Sequence, residues 1–182
     1  PFRFRLNSTN LNWSGNNILA VRADASKRAD AWQIAWYYDG GGIYRHVWLT
    51  VAPPVHIAPW GVYAPAVVAA ATINHSANGY DTAHAVLNSS VDLANVGTST
   101  TSGVRITATV IDASGSVVGS DQSESLSIAP GIGTVEMPYT VALPPIPMPE
   151  AALWSVDYPM LYTLVIAVSP GGDIVNTTFG VR

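Results

Sequence analysis

From Val104 to Val110 apolar and polar side chains alternate without a break. Val104, Ile106, Ala108 and Val110 fall on one side, and Arg105, Thr107 and Thr109 on the other. A period of two puts the sets on opposite faces of a sheet, one buried and one wet. Further strands are expected through Val117-Val118, at Leu126-Ser127-Ile128 and over Thr134 to Leu143. Tyr162 to Ser169 and Ile174 to Val181 flank Pro170-Gly171-Gly172-Asp173, which has the composition of a hairpin turn. Asp112-Ala113-Ser114-Gly115 reads as another turn. Pro144-Pro145-Ile146-Pro147-Met148-Pro149 is expected to be a loop, since proline cannot donate to a ladder. The only helical candidate is a turn at Pro149 to Trp154. Short strands at this spacing predict an all-β chain with a two-sheet sandwich over about residues 66–182.

Residues 1–60 have a different texture. Five of the six Trp lie there, with Asp39-Gly40-Gly41-Gly42 among them. Pro1 to Leu6 already alternates like a strand and has no signal-peptide layout. Pro53-Pro54 and Pro59 to Pro65 look like a joint, and the boundary is placed at Pro65. The first unit, 1–65, is short for an independent sandwich. Its Phe2, Phe4, Leu19, Val21, Val47 and Leu49 would be left wet. Residues 1–60 are therefore expected to pack on the sandwich or, through open strand edges, on a second copy as a homodimer.

Composition narrows the classes. Hydrophobic residues make up 48% and charged ones 11%, which excludes a disordered chain. The net charge of −4, with no basic run, speaks against nucleic acid and anionic membranes as partners. No apolar run reaches the roughly 18 residues of a membrane span. Cysteine is absent, and His46, His56, His75 and His84 lack metal-ligand spacing, so no metal or cofactor is expected. The sequons Asn7-Ser8-Thr9, Asn12-Trp13-Ser14, Asn74-His75-Ser76, Asn88-Ser89-Ser90 and Asn176-Thr177-Thr178 are the one compartment signal. They would fit a secreted or periplasmic protein, but chance in a chain rich in Asn, Ser and Thr is the plainer account.

Four stretches, in order, resemble glycoside hydrolase family 2, the β-galactosidase-like family. Asn16 to Asp24 resembles the strand near the end of the family's N-terminal sugar-binding jelly roll. Trp36-Tyr37-Tyr38-Asp39-Gly40-Gly41-Gly42-Ile43-Tyr44-Arg45-His46-Val47-Trp48-Leu49 is similar to the family's W-Y-x-G-G-G-I-Y-R-x-V-W-L stretch. Pro54 to Val62 looks like the passage into the immunoglobulin-like second domain. Leu153-Trp154-Ser155-Val156-Asp157-Tyr158-Pro159-Met160-Leu161-Tyr162-Thr163-Leu164 resembles that domain's L-W-S-P-x-x-P-x-L-Y-x-L signature, with Val156 where proline is usual. Phe179-Gly180-Val181-Arg182 looks like the passage into the catalytic (β/α)₈ barrel.

The resemblance implies the C-terminal part of a jelly-roll β-sandwich, 1–65, followed by an immunoglobulin-like β-sandwich, 66–182. It implies a barrel as partner, which supplies both catalytic Glu residues and would begin where this chain stops, and jelly-roll strands that would precede Pro1.

Retaining hydrolysis needs two carboxyl groups about 5 Å apart. The three glutamates here, Glu124, Glu136 and Glu150, form no such constellation, so none is expected to be catalytic. Glu124 reads as a solvated strand position and Glu150 as part of the proline-rich loop. The site-like feature is the aromatic–acid–glycine run. Trp36 and Tyr37 would stack on a carbohydrate ligand and Asp39 would accept from its hydroxyls; core packing by the same aromatics is the competing account. The chain is thus read as a non-catalytic accessory region that braces the barrel. The alternative is a sugar-binding or adhesion module without catalysis.

Overall fold

The computed structural model describes residues 4, 6, 8–23, 43–75, 77, 79–131 and 139–182. The chain divides into two compact units, Pro1–Leu49 and Thr50–Arg182. Among the described residues of the first unit there is one 3-10 turn, Ser8–Asn10, and no strand. The expected strand character of Asn16 to Ala23 is absent, and Phe4, Leu19, Val47 and Leu49 are exposed. A strand exists only through a neighbour's N–H and C=O groups, so alternation alone does not create one.

The described residues of the second unit form twelve strands and one 3-10 turn, Ala70–Thr72. The strands are β1 (Val55–Tyr63), β2 (Ala66–Val68), β3 (Asn74–His75), β4 (Asp81–Leu87), β5 (Ser90–Asn95) and β6 (Thr101–Ile111). After these come β7 (Val117–Gln122), β8 (Leu126–Ile128), β9 (Tyr139–Ala142), β10 (Ile146–Ala152), β11 (Tyr162–Ser169) and β12 (Asp173–Phe179). One layer has the order β12-β11-β6-β7, with β8 on the start of β6. The other is two consecutive sheets in matching order, β1-β5-β9 and β2-β4-β10, with β3 on β4. The chain passes from one to the other at three places, β1 to β2, β4 to β5 and β9 to β10. The layer is therefore three long strands broken at one line. Ala64-Pro65, Asn88-Ser89 and Leu143-Pro144-Pro145 make the break. Asn88 N–H donates to Pro65 O and Leu143 N–H to Ser89 O, both 2.9 Å, carrying the ladder across it. All neighbouring strands are antiparallel, as an immunoglobulin-like sandwich requires.

The alternation in β6 becomes the core. Val104, Ile106, Ala108 and Val110 are buried against Leu164, Ile166 and Val168 of β11 and Leu87, Val91 and Leu93 of the facing layer, while Arg105 is exposed. β11 and β12 form the predicted hairpin, Tyr162 opposite Phe179 through Val168 opposite Asp173.

Three expectations change. The boundary expected at Pro65 meets a chain that divides between Leu49 and Thr50, and β1, with Val55 and Ile57 buried, is a strand of the sandwich paired to β5. The proline-rich segment is a strand rather than a loop. Ile146 and Met148 are buried and paired to Leu87 and Ala85, while Pro147 and Pro149 are exposed on an edge strand whose missing N–H groups no neighbour needs. That strand also occupies most of the proposed helical turn at Pro149 to Trp154.

Candidate functional site

At one corner of the sandwich the L-W-S-x-x-Y-P-M-L-Y stretch links β10 to β11 beside the chain's last residues. Leu153 forms a parallel bridge with Val181, and Trp154 N–H donates to Val181 O at 2.7 Å. Leu153 N–H donates to Asp81 O at 2.7 Å. Between them the loop closes on itself. Ser155 N–H donates to Tyr158 O at 2.9 Å, and Tyr158 N–H donates to the Ser155 hydroxyl at 3.0 Å.

Two glycines let this loop lie down. A Cβ on Gly180 would come within 3.1 Å of Trp154 Cβ, and one on Gly79, at φ 89°, would collide with the Tyr158 hydroxyl.

Tyr162 is the anchor. Its ring stacks on Phe179 with centroids 5.7 Å apart, and its hydroxyl accepts from Ala152 N–H at 2.8 Å. Burial pushes the phenol above its ordinary value; the Asp112 carboxylate and Tyr80 add to this, and the Ala152 N–H opposes it. The phenol stays neutral and ties the end of β10 to the start of β11.

A shallow, open depression of about 240 Å³ results, lined by Trp154, Leu161, Gly180 and Arg182. Leu161 is exposed within it, and Val156 is exposed in the same loop. None of the four lining side chains is a nucleophile or a carboxylate. The corner can seat an apolar side chain under a guanidinium.

The sequence-predicted sugar-contact residues Trp36, Tyr37 and Asp39, and also Glu136, lie outside the described residues. Glu150 is exposed on β10 rather than in a loop, and Glu124 is exposed in the β7–β8 connection rather than on a strand. Among the described residues no three His, Cys, Asp or Glu side chains stand close enough to hold a metal. The sequence reading missed the Tyr162–Ala152 bond and the Gly79–Tyr158 fit. The L-Y-x-L motif was the signal for the first; no local signal marks the second.

The described residues of Thr50–Arg182 define an all-β sandwich domain. The family model for glycosyl hydrolases family 2 matches residues 70–182, and the chain belongs to that family. It is 31% identical over 175 residues to the Beta-galactosidase BoGH2A of Bacteroides ovatus, covering 94% of this chain and 18% of that protein. Among solved structures, a family 2 member from Bacteroides cellulosilyticus superposes with a TM-score of 0.61 at 23% identity, over 80% of this chain and 17% of the other. The β-glucuronidase 2 of Bacteroides uniformis gives 0.57 at 20% identity, over 78% and 16%. At these identities the solved structures establish the fold alone. The chain spans under a fifth of the length of each of these relatives.

Proposed function

We propose that this chain is a non-catalytic accessory region of a β-galactosidase-like glycoside hydrolase, and that its sandwich braces the catalytic barrel. The observation that carries the reading is the open corner at Trp154, Leu161, Gly180 and Arg182, at the β10–β11 connection whose ends the Tyr162 hydroxyl ties together. Leu161, exposed in this depression, and Val156, exposed in the same loop, have the character of a docking surface rather than of a core. The short share of each relative that this chain covers favours this reading over a free-standing adhesion module. In the same reading the first unit, Pro1–Leu49, is the end of a sugar-binding jelly roll, and Trp36, Tyr37 and Asp39 line one wall of the parent's sugar pocket.

The test is Leu161→Asp, made both in the 182-residue chain and in the full-length parent enzyme. The isolated chain should keep its unfolding midpoint, because Leu161 is exposed there. The parent should lose thermal stability and turnover of nitrophenyl glycosides. An unaffected parent would refute bracing at this corner. The isolated chain should show no turnover; activity abolished by changing Glu124, Glu136 or Glu150 would refute the non-catalytic reading.

A further inference from the structure

Among the described residues, Trp60 is the one non-glycine residue with positive φ, at 67°. A bulky side chain there crowds its own backbone, and an edge strand has no inherent need of it. The cause is a bulge in β1. Ile57 pairs with Leu93 and Val62 with Val91, so residues 58–61 all stand opposite Asp92. Gly61 locks the bulge in place. A Cβ there would lie 2.7 Å from Ala58 O and 2.9 Å from both Asp92 Cβ and Asp92 O. The backbone therefore presses onto β5 at Gly61 and turns the preceding side chain outward. Trp60 is 85% exposed, and Tyr63 on the same strand is 68% exposed. Strain retained at an exposed aromatic points to a use outside the core.

The surroundings define that use. The Asp92 carboxylate, under the bulge, accepts from the Thr140 hydroxyl at 2.5 Å through one oxygen, Oδ1. The indole offers a flat apolar face and an N–H donor. An exposed indole in a bulge that stands opposite Asp92, whose carboxylate is bonded to the Thr140 hydroxyl, matches a pyranose, which has an apolar C–H face and a rim of hydroxyl groups. The carboxylate, in a chain of net charge −4, works against an anionic sugar. We propose that the Trp60 bulge, with Asp92, Thr140 and Tyr63, is a binding platform for a neutral saccharide. It stands whether or not the corner braces a barrel.

Affinity electrophoresis of the 182-residue chain through gels containing a neutral β-glucan, a neutral galactan or polygalacturonate tests this. A neutral polymer should retard the chain and polygalacturonate should not. Trp60→Gly, which removes the ring and suits the positive φ, should weaken retardation by about tenfold or more, and Trp60→Phe by no more than about threefold. Asp92→Asn should weaken it less than Trp60→Gly does. Retardation by neither neutral polymer, unchanged retardation of Trp60→Gly, or stronger retardation by polygalacturonate would overturn the proposal. So would loss of the native circular dichroism in Trp60→Gly, which would make the ring a structural strut. Protection of Trp60 from acrylamide quenching in the sugar-free full-length parent would mean that another protein surface covers it, and would overturn the proposal equally.

Discussion

Tyr162 shows how much one hydroxyl can hold. It satisfies the N–H of buried Ala152, and its ring closes the β11–β12 hairpin against Phe179. Tyr162→Phe keeps the stacking and leaves that N–H without a partner. Urea unfolding should show a loss of about 1–3 kcal/mol. The pH dependence has a definite sign. The folded protein holds the phenolic proton more tightly than the unfolded chain, because the phenol is raised above its ordinary 10.0 by burial first. That stability is fully present below pH 10.0 and is lost as pH rises through the folded value. The wild type should therefore lose stability on the alkaline limb more steeply than Tyr162→Phe. Asp112 shows the opposite sign. The Ser114 hydroxyl and then the Ser116 N–H hold its carboxyl below 3.8, so its contribution is present above that pH and lost as pH falls. Ser114→Ala should raise the Asp112 titration midpoint, read by NMR, toward 3.8.

At the scale of elements, β10 is the instructive case. Its sequence, IPMPEAA, is depleted in strand formers, and two of its first four residues cannot donate. It is a strand because the prolines share one face and one edge, while Ile146 and Met148 are buried opposite β4. The same prolines blunt the edge, since a strand offering no N–H recruits no neighbour. Changing Pro147 and Pro149 together to Thr should leave the core intact and restore two donors at the edge. Sedimentation should then detect self-association absent from the wild type. The broken layer follows the same logic. Pro65 and Pro144-Pro145 fall at the break, where a missing donor matters least.

The whole molecule is governed by where its core lies. Among the described residues, every member of the buried hydrophobic cluster falls at or after Val55, within the unit Thr50–Arg182. A chain of residues 50–182 should unfold cooperatively in urea with the midpoint of the full chain. A broad, uncooperative transition would mean that the first unit is needed for the fold. Leu164→Ala, in the fully buried centre of β11, should lower stability by about 2–5 kcal/mol, because the close-packed neighbours cannot fill the space. The depth of the loss measures how far that packing can relax.

Alternation by itself determined the all-β class, the buried face of β6 and the β11–β12 hairpin, because a period of two and a glycine-rich turn are local properties. The motif residues around Trp154 and Phe179 determined the family for the same reason: their order along the chain can be read without coordinates. Only the tertiary structure decided that Pro54 to Tyr63 belongs to the sandwich and that a proline-rich run is a strand. Burial of Val55 and of Met148 depends on partners, Asn95 and Ala85, that are distant in sequence. The Trp60 bulge was illegible for a related reason. A residue is forced to positive φ by the strand beside it, and nothing in Ala58-Pro59-Trp60-Gly61 states which residue of β5 it will face.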